Sequence, residues 1–295
     1  MGASLQRTLT QPVEFSGVGL HSGQACTATV RPAEDNCGIV FRRLDLSASD
    51  CLVAARPENV ATTNHGTALV NRAGVTVSTV EHLMAALALC GVDNAEIDLF
   101  GPEAPILDGS SAVFVEGLED AGFETQSAPR AGFVIEEPLA VHDGGDRVIE
   151  VSPFEGRSVD VAIDFCDCMI GTQSLILDLD CPADRARLAK ARTFCRLYEI
   201  EALRRMGLIR GGSLENSLVI DGDRILNDED LRDPEEFALH KALDLIGDLY
   251  LLGAPLIGAV RAVRPGHDLN VRMAQALCDR RARENAAPAA IFATA

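Results

Sequence analysis

The sequence predicts an α+β fold in two domains. A chain of 295 residues is long for a single hydrophobic core, so two domains are the natural expectation. Runs of predicted strands are followed by helices in both halves, which is typical of α+β proteins and not of alternating βαβ units. Each half also has strands, then a histidine-bearing helix, then glycine and an apolar strand, which indicates a weak internal duplication. We place the domains at residues 1–126 and 131–280, and we expect a mobile Ala-rich tail at 281–295.

The first domain is predicted from three stretches of short strands and two helices. Apolar and polar residues alternate in TLTQPVEFSG, ACTATVRP and GIVFRR. A helix is predicted over residues 79–90, because apolar residues recur there at helical spacing and Gly91 can end it. A strand in AEIDLF, the turn-rich GPEAPILDGS and a helix in SAVFVEGLEDAG follow. The polar stretch TQSAPR near 125–130 is the expected linker.

The second domain begins again with strands, in FVIEEPLAV, RVIEVSP and SVDVAIDF. Helices are predicted in ADRARLAKARTF and YEIEALRRMG, and a strand in SLVI. A long apolar helix in HKALDLIGDLYLL, a strand in LIGAVRAV and a helix in NVRMAQAL complete the domain.

The helix HKALDLIGDLYLL carries one polar stripe on an otherwise apolar surface. At about 100° per residue, Asp244, Asp248 and Lys241 lie roughly 40°, 80° and 100° from His240. A buried charge is costly unless it is paired or binds a metal, and His-x-x-x-Asp places two ligands of one divalent ion a turn apart. The alternative is an amphipathic surface helix whose stripe faces water. The chain has only two lysines, Lys190 and Lys241, so Lys241 is not one of many solubilising charges.

Three further residues have the chemistry that a hydrolytic metal site needs. Glu81 could act on water, but Ser78 and Glu81 also fit a capping box that would start a helix. His82 lies near a helix N-terminus, which disfavours imidazolium, and a neutral imidazole can coordinate a metal or be structural. His267, in a predicted Pro-Gly loop, could donate a proton or be an exposed bystander.

Composition excludes several classes of protein. The net charge of −18 disfavours broad nucleic-acid binding, so an anionic ligand would need a local basic pocket formed by Lys241 and some of the arginines. The first residues lack an apolar signal core, and the longest apolar stretch is too short to cross a bilayer. The odd count of nine cysteines, without CxxC, indicates reduced thiols and no cysteine zinc site. We expect a cytoplasmic monomer.

Six blocks of the sequence together are typical of one known family: GVGLHSG, VEHLMAALALCGVDNAEIDLFGPEAPILDGS, ARTFC, GLIRGGSLENSLVI, RILNDEDLRDPEEFALHKALDLIGDL and GHDLN. In these blocks the chain resembles the zinc-dependent UDP-3-O-acyl-N-acetylglucosamine deacetylases of bacterial lipid A synthesis. The resemblance extends from residue 1 to about 280. It implies two similar domains, each a sheet packed on helices, with the helices sandwiched between the sheets and the active site between the domains.

The resemblance also implies roles for individual residues. Zinc would be held by His82, His240 and Asp244, although iron or cobalt could occupy such a site. Glu81 would be the general base, Thr193 would stabilise the oxyanion, and His267, kept charged by Asp248, would protonate the leaving amine. The substrate is a small acylated UDP-sugar, whose oxygens Lys241 would hold and whose sugar would contact Phe194. An apolar passage near Leu197–Ile209 would take the acyl chain through residues that include Leu197, Ile200 and Leu203.

Other interpretations stay open at this point. Thr193 could be an ordinary helix-end hydroxyl, and the passage residues could form an amphipathic helix that packs on the core. His21 matches a family block but has no clear role, and His65 and His142 are expected to be surface or structural residues. The enzyme could be a zinc amidohydrolase for another N-acyl sugar or peptide. A non-enzymatic metal-binding protein would instead close the metal's coordination shell and leave Glu81 and His267 without a use.

Overall fold

The computed structural model describes residues 4–46, 51–166 and 168–286, and it confirms the predicted α+β fold. The first half contains β1 (Leu5–Leu9), β2 (Val13–Val18), β3 (Ala25–Pro32), β4 (Ile39–Arg43), β5 (Leu52–Ala54), β6 (Val60–Thr62), β7 (Ala68–Val70), β8 (Thr76–Val77), α1 (Glu81–Cys90), β9 (Ala95–Phe100), α2 (Ala112–Ala121) and β10 (Phe123–Pro129). The second half contains β11 (Phe133–Val134), β12 (Leu139–His142), β13 (Val148–Ser152), β14 (Arg157–Phe165), β15 (Gly171–Asp178), α3 (Pro182–Ala189), β16 (Phe194–Arg196), α4 (Leu197–Arg205), β17 (Leu218–Asp221), β18 (Arg224–Ile225), α5 (Glu236–Leu249), β19 (Leu256–Val263) and α6 (His267–Ala286).

Each half is organised around one larger sheet. The first has the order β2-β3-β9-β4-β5, and the second has β12-β13-β19-β14-β15 with β11 beside β19. In both sheets the strand that follows the histidine-bearing helix pairs in parallel with an earlier strand. After α1, β9 pairs with β4, and after α5, β19 pairs with β14. The same arrangement around α1 and α5 agrees with the weak internal duplication in the sequence. The assignment of two domains at 1–126 and 131–280 stays our proposal.

The helices form the interior between the two sheets. α2 packs on β2 and on α1, α1 packs on α5, and α5 packs on β14 and β15. α1 is rich in Ala, Leu and Met, which favour helices, and it ends at Gly91 in a left-handed conformation (φ 68°) that suits glycine. In α5 every residue except Lys241 is buried, so the alternative of a surface helix with a solvated stripe is wrong.

Three expectations about local structure need correction, and the mobility of the tail stays a prediction. The stretch 125–130, expected as a linker, lies mostly in β10, which pairs with β1. The helix predicted in ADRARLAKARTF ends at Ala189, and Phe194 begins β16. His267 is not in a loop but is the first residue of α6. Residues 281–286 of the expected tail continue α6, and 287–295 lie outside the described residues.

Within the described part of the chain, no helix is both long and apolar enough to cross a membrane.

Candidate metal centre

Three buried side chains from α1 and α5 converge at the junction of the two helices. Asp244 Oδ1 lies 3.4 Å from His240 Nε2 and 3.8 Å from His82 Nε2. One candidate ligand atom from each residue lies within 4.8 Å of the other two, and all three residues are buried. Donor atoms about 2.1 Å from a tetrahedral ion are roughly 3.4 Å apart, so the spacing suits a single divalent ion.

An unpartnered oxygen supports a cation at this place. Lys241 Nζ donates to Asp244 Oδ2 at 2.8 Å, but Asp244 Oδ1 is buried and accepts no hydrogen bond from the described residues. A buried acceptor without a partner is costly, and a metal ion at Oδ1 would remove that cost. The residues present therefore fit the metal ion that the sequence predicts.

The local electrostatics prepare these side chains for a cation. Burial lowers the pKa of His82 to about 4 and that of His240 to about 3, so both imidazoles are neutral near pH 7. Burial alone would raise the pKa of Asp244, but the neighbouring His240 and Lys241 outweigh it and hold that pKa far below its usual range. Two neutral imidazoles and one carboxylate are the protonation states that bind a divalent metal.

Glu81 is the first residue of α1 and faces the same centre. The capping box with Ser78 is not formed, because the helix begins after Val80 without a side-chain cap. The backbone N–H of Thr67 donates instead to Glu81 Oε2 at 3.0 Å. Burial raises the pKa of Glu81 to about 7, and the charge of His267 only partly offsets this. A carboxylate that titrates near neutral pH is well suited to general base catalysis.

His267 lies beside Glu81 and is held in place by Asp248. Its Nδ1 is 2.9 Å from Asp248 Oδ2, and its Nε2 is 3.9 Å from both Glu81 Oε1 and Asp244 Oδ2. Burial alone would lower the pKa of His267, but the charges of Asp248 and Asp244 outweigh it and raise the pKa to about 10. The imidazole is therefore protonated at neutral pH and can donate a proton from Nε2.

Two residues that hydrogen-bond to Asp248 were not identified from the sequence. Asn270 Nδ2 donates to Asp248 Oδ2 at 2.9 Å, and Thr67 Oγ1 donates to Asp248 Oδ1 at 2.5 Å. Together with His267 they satisfy both oxygens of this buried carboxylate. Asn270 stands in the block GHDLN, but its position in a helix gives no sign of this contact.

A cavity of about 260 Å³ adjoins the centre and is lined by five of the residues that are expected to contact the substrate. Thr193, Phe194, Leu197, Ile200 and Leu203 all line it. The Phe194 ring lies 6.0 Å from the His240 ring, and Lys241 Nζ lies 5.3 Å from the Phe194 ring centre. The apolar wall therefore continues directly from the three candidate ligands.

The remaining histidines occupy different places. His21 and His65 also line the cavity, and His21 Nε2 is 2.9 Å from the backbone oxygen of His65. His142 ends β12 and is exposed.

Gly247 allows α1 and α5 to approach closely beside the centre. A Cβ atom at Gly247 would lie 2.1 Å from the carbonyl oxygen of Glu81 and 3.2 Å from the amide nitrogen of Ala85. Both atoms belong to the backbone of α1, so they cannot move aside without shifting the helix. The distance between His82 on α1 and the ligands on α5 therefore depends on this glycine.

We expect Gly247→Ala to weaken metal binding and to destabilise the protein by about 1–3 kcal/mol, because the added methyl separates the helices. Metal affinity and thermal unfolding measure the two effects. Gly117→Ala in α2 is the matched control, since its Cβ would be 2.6 Å from the Phe15 ring in the N-terminal half. The control should lose stability and retain the metal; equal metal affinity in both variants would contradict the role of Gly247.

Comparison with known proteins finds one family over nearly the whole chain. Residues 6–279 match the model of the family described as UDP-3-O-acyl N-acetylglycosamine deacetylase. A UDP-3-O-acyl-N-acetylglucosamine deacetylase of Phenylobacterium zucineum is 52% identical over 275 residues, 93% of this chain and 94% of that protein. Proteins of the same name from Acidithiobacillus ferrooxidans and Vibrio parahaemolyticus are 46% and 45% identical over 274 and 282 residues. These alignments cover 92% and 95% of this chain and 89% and 92% of the relatives.

Proposed function

The chain belongs to the UDP-3-O-acyl-N-acetylglucosamine deacetylase family, and we propose that its buried centre hydrolyses the N-acetyl group of that substrate with one zinc ion. The products are acetate and UDP-3-O-acyl-glucosamine, in the committed step of lipid A synthesis. The observation that carries the proposal is the unpartnered Asp244 Oδ1 between His82 and His240, with Glu81 and His267 beside it. Iron or cobalt could replace zinc in such a nitrogen and oxygen site.

The ion would be held by His82, His240 and Asp244. A divalent ion in this position supplies Lewis acidity, which lowers the pKa of water to about 7 and polarises the amide carbonyl. Glu81 takes the proton of the attacking water, because burial raises the pKa of its carboxyl group and makes the carboxylate a stronger base. Thr193, which lines the adjoining cavity, donates a hydrogen bond from its hydroxyl to the developing oxyanion.

Collapse of the tetrahedral intermediate needs a proton on the leaving amine. His267 supplies it from Nε2, since Asp248 on Nδ1 keeps the ring protonated. The amide C–N bond then breaks as the amine nitrogen gains that proton. Glu81 and His267 thus divide the proton transfers: Glu81 removes a proton from the attacking water, and His267, whose Nε2 is 3.9 Å from Glu81 Oε1, delivers one to the leaving nitrogen.

Two cavities next to the centre match the two ends of the substrate. The apolar cavity of about 260 Å³ beside Phe194 takes the acyl chain along Leu197, Ile200 and Leu203. A second cavity of about 320 Å³ is lined by the cations Lys241, Arg147 and Arg264 and by the carboxylate of Asp164, which pairs with Arg264. We place the anionic diphosphate there, where it would compete with the carboxylates that now pair with these cations. In a protein of net charge −18, such a local group of cations is needed to hold an anion.

The metal-loaded protein is expected to release acetate from UDP-3-O-acyl-N-acetylglucosamine and far more slowly from UDP-N-acetylglucosamine, which lacks the acyl chain. Each buried CH₂ contributes about 0.8 kcal/mol, so four buried methylenes give roughly a 200-fold difference in kcat/KM. Acetate release measures both rates, with chelated and then metal-restored protein as the control.

Two outcomes would count against this function. A protein that carries one ion but releases no acetate from the acylated substrate would contradict the deacetylase activity. Equal rates on the two substrates would favour the alternative, a zinc amidohydrolase acting on a different N-acyl sugar. The expected cytoplasmic location and monomeric state stay predictions.

A further inference from the structure

A buried ion pair joins Glu236, the first residue of α5, to Arg192. The side chains of Glu236 and Arg192 are 0% and 5% exposed. Glu236 Oε1 accepts from Arg192 Nε at 2.8 Å and from the Arg192 backbone N–H at 3.1 Å. Glu236 Oε2 accepts from Arg192 Nη2 at 3.2 Å and from the Arg232 backbone N–H at 2.7 Å. One carboxylate on α5 therefore receives four hydrogen bonds from segments outside the helix.

The segment held by this pair contacts a candidate metal ligand. Ala191, the residue before Arg192, places its carbonyl oxygen 3.1 Å from His240 Nδ1. A carbonyl oxygen can only accept, so this contact requires the proton of His240 to be on Nδ1, which leaves Nε2 free for a metal. Glu236 precedes His240 by one helical turn. α5 thus carries both His240, a candidate ligand, and Glu236, whose carboxylate holds the segment with the Ala191 carbonyl that accepts from His240.

The segment between α3 and β16 is tied to its surroundings at several points, and the Ala191 backbone N–H donates to the Leu188 carbonyl at 3.2 Å. It has no regular secondary structure from Lys190 to Thr193. Thr193 is tied by its backbone, with its N–H donating to Gly109 at 2.7 Å and its carbonyl accepting from Leu218 at 2.8 Å. Arg192 also donates to the Asp230 carbonyl at 2.9 Å and to Glu229 Oε2 at 3.2 Å, but both contacts are only partly buried. Its contacts with Glu236 are fully buried, and they join the residue after Ala191 to the helix that carries His240.

We propose that Glu236 and Arg192 are positioning residues for the metal centre. Their ion pair holds the Ala191 carbonyl against His240 Nδ1, and this orients His240 Nε2 toward the ion. The inference depends on the proposed metal site but not on the identity of the substrate. Removing an outer partner of a metal-ligating histidine typically costs about 10- to 100-fold in metal affinity.

The test compares Glu236→Gln with Asp93→Asn, a change of the same kind far from the centre. Asp93 follows the C-terminal end of α1, whereas His82 is near its N-terminal end, and the Asp93 side chain is 8% exposed. It accepts from Arg130 Nε at 2.8 Å and from the Arg7 backbone N–H at 2.9 Å. Each variant is loaded with Co²⁺, and three quantities are measured: the dissociation constant by chelator competition, the visible absorption spectrum of bound Co²⁺, and the melting temperature of the metal-free protein.

Glu236→Gln is expected to weaken Co²⁺ binding about 10- to 100-fold and to change the Co²⁺ spectrum. Asp93→Asn should lower the melting temperature and leave the affinity and spectrum unchanged. A Glu236→Gln protein with wild-type affinity and spectrum overturns the inference, because the pair would then only stabilise the fold. Arg192→Lys is measured in parallel, since it keeps the charge but cannot donate from Nε and Nη2 together. It should weaken Co²⁺ binding in the same direction, and unchanged binding in this variant also overturns the inference.

The outcome for the wild-type protein separates this inference from the proposed function. Wild-type protein that binds Co²⁺ tightly but releases no acetate contradicts only the deacetylase activity. Wild-type protein that binds no Co²⁺ overturns both.

Discussion

Replacing Asp244 with alanine is expected to remove the metal ion from the purified protein and to abolish acetate release. Asp244 is the one anionic member of the candidate ligand set, and its Oδ1 lies 3.4 Å from His240 Nε2 and 3.8 Å from His82 Nε2. Without it, two neutral histidines remain, and Lys241 loses the carboxylate to which it donates at 2.8 Å. A cation would then face a positively charged neighbour without any carboxylate among its three expected ligands.

The rate should fall by more than the roughly 1,000-fold that loss of one oxyanion donor can cost, because the site would lose its Lewis acid entirely. Elemental analysis gives the metal content, and acetate release gives the rate. Asp221→Ala is a suitable control, since Asp221 ends β17, away from the three ligands, and pairs with Arg224 on the surface. Full metal content in the Asp244 variant would refute the ligand assignment.

Regular spacing made part of this site predictable from the sequence. The positions of His240, Asp244 and Asp248 follow from the geometry of one helix, and α5 places them on one face as expected. Spacing within a helix cannot show that His82, far away in the sequence, meets them. That step came from the resemblance to a family, and the structure brings α1 and α5 together.

The contacts that sequence reasoning missed have a common physical origin. Thr67 and Asn270 reach Asp248 from distant segments, and no periodic pattern distinguishes them from other polar residues. The acceptor for His240 is a backbone carbonyl, which every residue possesses. Such partners are fixed by tertiary packing, and only coordinates reveal them.

The fold, too, is predictable where a pattern within one segment decides its structure, and not where a distant segment decides it. The strands Ala25–Pro32, Ala95–Phe100 and Leu256–Val263 have the predicted bounds, because their side chains alternate or are uniformly apolar. The stretch 125–130 is predicted as a linker because its sequence is polar, but it lies mostly in β10, where it pairs with β1. A polar strand of this kind depends on its partner more than on its own residues.

His267→Ala is expected to keep the metal ion and to lose roughly 100- to 10,000-fold in kcat, the usual contribution of a general acid. His267 is outside the three-residue ligand set, and its Nδ1 is occupied by Asp248. Its removal therefore takes away a proton donor without taking away a ligand. His142→Ala is the matched control, because it deletes an exposed imidazole at the end of β12. A His267 variant with full activity would contradict the acid role, and one without metal would make His267 a ligand.

The pH dependence gives a second check on the same residue. The folded-state pKa of His267 is raised from 6.5 to about 10, so the His267–Asp248 pair stabilises the protein fully below pH 6.5. That stabilisation is lost as the pH rises toward 10, since the folded protein then releases the proton that the charged pair needs. Wild-type protein should therefore lose thermal stability over this range more steeply than His267→Ala. Its rate should fall at alkaline pH for the same reason, whereas the residual rate of the variant, which has no such proton to lose, should not. Parallel stability profiles of the two proteins would show that Asp248 does not hold a proton on His267.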